Sequence, residues 1–171
     1  MSSKKTISVY CGTFGKYNSG SLDGAWVDLS DFDTFEDFMQ HIRELHADEE
    51  DPEFMFQDID NATDIPFRGE PGLGDIERFM QFLQLEEYER DILEGYASIH
   101  GLSADIEEQL QEALDHYRGT YDSMADYAEE ITRECNDIPE WLDCYIDWER
   151  MARDFNMDHT QAANGMIFSD Y

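Results

Sequence analysis

The chain has 171 residues, 41% hydrophobic and 13% aromatic, enough apolar material to build folded cores. Its 41 Asp and Glu against 11 Lys and Arg leave a net charge of -30, where a small domain needs a magnitude of only about 2 to 8 for solubility. A surface of this sign repels nucleic acid and anionic lipid, which argues against direct nucleic-acid or membrane binding and for basic partners.

The charge is not an acidic tail on a neutral body. Residues 1–61 carry 14 acids and 4 bases, 62–103 carry 9 and 3, and 104–171 carry 18 and 4. Cys11, Cys135 and Cys144 are an odd number without CxxC spacing, and MSSKKTISVY lacks the apolar run of a signal peptide. No apolar stretch approaches the roughly 18 residues of a membrane span. The expected location is a reducing cytoplasm.

In chain order, ISVYC at 7–11, AWVDL at 25–29 and FMFQDI at 54–59 read as short strands, with turn chemistry filling GTFGKYNSGSLDG between the first two. Thr34 with Asp37 forms a capping-box-like start, after which Phe35, Phe38, Met39, Ile42 and Leu45 recur at helical intervals. One helix on a small antiparallel sheet is the expectation. IPFRGEPGLGD at 65–75 concentrates Pro and Gly and reads as a linker or seam.

Helices are expected beyond it. Ile76, Phe79, Met80 and Leu83 make one apolar stripe, and Leu85, Tyr88, Ile92, Leu93 and Tyr96 another, ending at Gly101. Ser103 is the expected cap of a third helix, with Ile106, Leu110, Leu114 and Tyr117 facing inward. RGTYDS at 118–123 reads as a turn and brief strand, and NGMIFSDY as a closing strand.

The stretch 124–149 holds nine carboxylates and one arginine, yet its apolar residues fall at helical spacing. On a helix over 124–137, Met124, Tyr127, Ala128, Ile131 and Cys135 share one face, and Asp126, Glu129, Glu130, Glu134 and Asp137 another. Pro139 suits a new first helical turn. Beyond it Trp141, Leu142 and Tyr145 point one way, and Glu140, Asp143, Asp147 and Asp154 the other. Asp105, Glu108 and Glu112 join the same acidic surface.

About six like-charge pairs on these ridges cost roughly 1 to 3 kcal/mol together, against a typical stability of about 5 to 15 kcal/mol. Arg133 is expected to offset part of this through Glu129, Glu130 and Asp137. Side chains four apart on a helix lie about 6 Å from each other, a spacing similar to that of successive phosphates. At one charge per roughly 1.7 Å of duplex axis, 30 net charges correspond to about 50 Å of DNA.

Enzymatic and metal motifs do not form. DFDTFE at 31–36 and DIDNATD at 58–64 begin like Ca²⁺ loops but put Glu36 and Thr63 where the turn needs Gly. HIRELH at 41–46 fits neither zinc helix pattern, so His41 and His46 read as two helix-surface histidines. GSLDG is not a nucleophile elbow, and no phosphate-binding glycine loop exists. No catalytic residue, metal or cofactor is expected.

KYNSGSLDGAW at 16–26, after ISVYCGTFG, resembles the N-terminal signature of the ArdA antirestriction proteins. YIDWERMARDF at 145–155, followed by NGMIF, resembles their C-terminal signature, and YDSMADYAEEITRECNDIPEWL at 121–142 lies where they carry an acidic antirestriction motif. The resemblance implies an α+β fold arranged as an elongated chain of three small domains. These would be an N-terminal α/β domain over 1–62, a central helical domain over 63–103 and a C-terminal acidic α/β domain over 104–171. It also implies a homodimeric DNA mimic, encoded on a mobile element and acting in a bacterial host cell. Such a mimic would occupy the DNA-binding groove of the methyltransferase core of type I restriction-modification enzymes.

Two rival readings remain open. One is a globular protein of halophilic type, consistent with three lysines beside eight arginines. The other is an acidic module for a different basic, DNA-binding partner.

Overall fold

In a computed structural model, which describes residues 5–67 and 69–171, the first apolar run forms the strand β1 (Ile7–Thr13). Its side chains alternate: Ile7, Val9 and Cys11 are fully buried, while Ser8 and Tyr10 lie half-buried on the other face. Antiparallel partners flank it on both sides, β2 (Ala25–Asp28) and β3 (Phe54–Asn61). Burial of the Cys11 thiol pushes its pKa up to about 12. Gly24 approaches β1 so closely that a Cβ there would lie 2.4 Å from the Cys11 carbonyl oxygen, so only glycine fits.

The glycine-rich stretch after β1 is not all turn. Thr13 accepts the Lys16 N–H at 3.2 Å and caps a short helix, α1 (Phe14–Asn18). Composition points to a loop here because the local cap, rather than propensity, holds this turn. A 3₁₀ turn (Leu29–Asp31) follows β2. α2 (Phe35–Leu45) starts as expected, Thr34 Oγ1 accepting from Asp37 N and donating to its carboxylate at 2.6 Å. Phe38, Met39 and Ile42 bury against the sheet, whereas Leu45 is exposed.

His46 corrects the reading of two surface histidines. His41 is exposed, but His46 is 1% exposed at the end of α2, its Nε2 3.2 Å from the Cys11 carbonyl oxygen and its Nδ1 3.2 Å from Lys16 Nζ. Spacing on α2 could not reveal a partner from β1.

α3 (Leu73–Gln84) and α4 (Glu87–His100) carry the expected stripes with two changes. Phe82 is fully buried, and Tyr88 is exposed, because Leu85 ends α3 and α4 starts afresh at Glu87. α5 (Ile106–His116) is capped by Asp105, which accepts the Glu108 N–H at 2.9 Å. Ser103 Oγ instead takes the Asp105 N–H, which shifts the helix start two residues beyond the expected cap. Tyr117 leaves the helix and opens the strand β4 (Tyr117–Thr120).

The remaining elements are α6 (Met124–Cys135), α7 (Glu140–Asp143), α8 (Trp148–Phe155), β5 (His159–Gln161) and β6 (Met166–Ser169). β6 runs antiparallel between β4 and β5. Over the described residues the chain is thus mixed α/β, with eight helices and two small antiparallel sheets.

β6 is a wall with α4 and α5 packed on one face and α6 and α8 on the other. Phe168 packs with Tyr96 of α4, ring centroids 5.4 Å apart, and joins one apolar cluster that also takes in residues of β1 and α2 to α5. Its neighbour Ile167 faces the opposite way, into a second cluster with Met124, Ala125, Tyr127 and Ala152. Alternation along one strand therefore serves both cores. Gly95 lets α4 approach this strand: a Cβ there would lie 3.0 Å from Asn164 Nδ2 and 3.3 Å from a Phe168 ring carbon.

Candidate functional site

The acidic segment folds because a small apolar stripe anchors it and polar caps frame it. Ser123 caps α6, accepting from Asp126 N and donating to the Asp126 carboxylate at 2.6 Å. Met124, Ala125, Tyr127 and Ala128 are buried beneath the helix. α6 packs on α8, with Tyr127 and Phe155 edge to face at 5.7 Å and Thr132 Oγ1 donating to Met151 Sδ at 3.1 Å.

The outer face carries the predicted carboxylates, though not as two continuous helical ridges. α6 stops at Cys135, with Asn136 as its cap, so Asp137 stands beyond the helix. Cys135, expected on the inward face, is exposed. The second helix is broken in two. α7 is one turn, Asp147 accepts the Arg150 N–H at 2.9 Å, and α8 begins there. A carboxylate that caps a new helix interrupts the old one, which periodicity alone could not register. Glu140 and Asp143 therefore lie on α7, Asp147 is the cap and Asp154 sits in the last turn of α8.

Arg133 organises this face. Its Nε and Nη2 donate to Glu129 Oε1 at 2.9 and 2.7 Å, and Nη2 donates to Asp143 Oδ1 at 2.6 Å, tying α6 to α7. The guanidinium also stands 5.2 Å over the Trp148 ring. Hydrogen bonds to Glu129 and Asp143 raise its pKa further. The expected partners Glu130 and Asp137 are not engaged; Glu130 instead accepts the Tyr121 hydroxyl at 3.0 Å. Burial first, then that bond, pushes the Tyr121 pKa up to about 12.

Of the twelve predicted acids, Glu129 and Asp143 are half-buried. Asp105, Glu108, Glu112, Asp126, Glu130, Glu134, Asp137, Glu140, Asp147 and Asp154 are exposed or partly exposed. Apart from the two Arg133 pairs, none of the twelve takes an ion pair among the described residues. Asp105, Asp126 and Asp147 have a local reason to be acidic, since each frames a helix N-terminus. Glu140 opens the first turn of α7, whereas Glu134, Asp137 and Asp154 have no such place.

Trp141 and Tyr145 are the residues that helical reasoning places least well. Spacing groups them with Leu142 on an apolar side, yet they are 71% and 77% exposed, and α7 buries none of its residues. A four-residue helix has too little length to lay a stripe on a core.

This arrangement can accept hydrogen bonds and ion pairs from a basic surface. Among the described residues no group of three or more His, Cys, Asp or Glu side chains is placed to hold a metal. No described helix is long and apolar enough to cross a membrane.

Residues 9–168 match the family model of the antirestriction protein ArdA. The chain belongs to the ArdA family. The match takes in both sheets almost entirely and all twelve acidic positions. ArdA proteins are antirestriction proteins, so membership assigns this chain an antirestriction function directed at restriction enzymes. No curated protein matches the sequence.

Proposed function

We propose that this ArdA protein acts as a DNA mimic, a homodimer that occupies the DNA-binding groove on the methyltransferase core of type I restriction-modification enzymes. The observation that carries the reading is the set of exposed carboxylates on and between α5 to α8 that have no ion-pair partner among the described residues, with α5, α6 and α8 packed against β6 beneath them. A groove lined with Lys and Arg for phosphates engages such carboxylates through charge-assisted hydrogen bonds. No scissile bond or methylatable base is offered, so the enzyme is occupied and nothing reacts.

Because the mimicry concerns the backbone and not base edges, inhibition is independent of the enzyme's recognition sequence and weakens steeply with salt. The test is competition with duplex DNA for a type I methyltransferase core. Glu134→Gln, Asp137→Asn, Glu140→Gln and Asp154→Asn, added cumulatively, lower competition stepwise while circular dichroism stays unchanged. Undiminished competition by the fourfold variant overturns the reading. Folding in low-salt buffer separates it from a halophilic surface, which fails there.

A further inference from the structure

Away from the C-terminal carboxylates, an open groove of about 780 Å³ lies between α1, α2, the start of β3 and the turn into α3. Its floor is apolar and soft, formed by Met39, Met55 and Phe56, which are buried, with Phe54 beside them. Phe14 and Leu73 stand at the mouth, 38% and 43% exposed. Methionine and phenylalanine side chains of this kind adapt to an inserted apolar group.

The rim is acidic. Glu50, Asp51 and Glu53 lie on one lip and Glu70 on the other, all exposed. The acidic run that supplies the first lip is divided by the fold. Lys16 pairs with Asp48 at 2.9 Å and approaches Glu49 at 3.9 Å, while Thr13 Oγ1 donates to Glu49 at 2.6 Å. Glu50, Asp51 and Glu53 take no ion pair among the described residues. Arg43, the lining cation, is engaged by Glu36 at 3.1 Å.

The braces at Asp48 and Glu49, with Phe14 N donating to Glu53 O at 2.9 Å, hold the lip before anything binds. A preformed site loses less ordering entropy on association.

We propose that this groove is a second interaction site, which receives a large apolar side chain presented on a basic peptide segment. Charge complementarity selects the occupant. Nucleic acid and acidic peptides are repelled by the rim, and a purely apolar ligand leaves its carboxylates unanswered. An amphipathic segment with Lys or Arg beside Leu, Phe or Trp satisfies both floor and rim.

The test uses the full chain with ¹³C-labelled methionine methyls and a synthetic amphipathic helical peptide with Leu at i, i+3, i+4 and i+7 and Lys between them. Controls are the same peptide with Ala for Leu and one with Glu for Lys. Measurements are made at about 0.3 M salt, where diffuse attraction to the acidic surface is screened. The Leu/Lys peptide is expected to shift the Met39 and Met55 methyls. Leu73→Arg at the mouth, or Glu50→Gln with Asp51→Asn and Glu53→Gln at the lip, weakens binding about tenfold. Both sets of substitutions fall on exposed side chains, so the fold survives them. Equal binding of the Ala control, unmoved Met39 and Met55 methyls, or full affinity in both variants overturns the proposal.

Discussion

The two apolar clusters differ in size, and nine of the twelve predicted acids lie in the α6 to α8 segment that packs over the smaller. The main cluster buries Phe38, Phe82, Phe168 and a long series of aliphatic residues drawn from the first sheet and α2 to α5. The second buries five residues, three of them Met124, Tyr127 and Ile167, under α6 and α8. α7 buries none of its residues and α8 only Ala152. The region that bears the repulsive carboxylates thus removes less apolar area from water than the main core, and caps and a single arginine add to what holds it. Charge exposed for a partner and deep packing compete for the same short helices.

Carboxylates in the two regions show the same contrast. Glu94, 2% exposed on α4, pairs with Lys5 and accepts the Asp64 N–H at 2.9 Å. Inside the main core a carboxylate is matched by a cation and a backbone donor. On the outer C-terminal face Glu134, Asp137, Glu140 and Asp154 are exposed and take no ion pair among the described residues.

The largest effect that can break this comparison is a deletion in the main cluster. Phe82→Ala is expected to cost about 3 to 5 kcal/mol in urea denaturation. Ile131→Ala, beneath the acidic face and only half-buried, is expected to cost clearly less. Equal losses would mean that the two clusters are one cooperative support.

Next comes Glu94→Gln, which leaves Lys5 without its buried partner and is expected to cost about 1 to 3 kcal/mol. Burial lowers the Lys5 pKa, but its hydrogen bonds to Glu94 and Asp91 outweigh that and hold it above the ordinary value. The contribution is therefore complete below the unfolded lysine pKa of about 10.4. It is lost as pH rises through the folded value. Denaturation midpoints followed through this range should fall more steeply for the native protein than for Glu94→Gln.

Arg133→Gln removes the cation that, among the described residues, joins α6 to α7. Arg133 and both acids it holds are each more than a third exposed, so the expected loss is a small drop in the thermal midpoint at low salt. The difference should shrink as salt screens the pairs. The smallest effect has the opposite sign. Glu134→Gln relieves repulsion from Glu130 and is expected to stabilise by a few tenths of a kcal/mol, seen as a slight rise in the thermal midpoint, even as it weakens competition with DNA.

Much of the fold is legible along the chain. Ile7, Val9 and Cys11 alternate as a half-buried strand must, and Thr34 with Asp37 marks the start of α2 through local chemistry alone. The acidic character of α6 is equally plain, because Met124, Tyr127 and Ala128 mark the inward side. Sequence reasoning fails where a side chain answers to something distant. His46 is buried by β1 and Lys16, Arg133 chooses Asp143 across a helix break rather than Glu130 one turn away, and Asp147 starts a helix where a stripe suggests continuity.

By itself the sequence determined the sign and density of charge, the mixed α/β class, the starts of α2 and α6 and the acids that face water, since these depend on composition and on periodicities of 2 and 3.6 residues. Only the tertiary structure decided that β6 serves two cores from opposite faces. It alone decided that Asp48 and Glu49 are braced by Lys16 and Thr13 while Glu50, Asp51 and Glu53 rim a groove, and that Trp141 and Tyr145 stand in water. Each of these turns on contacts between residues far apart in the chain, and local pattern carries no information about which distant surface a face will meet.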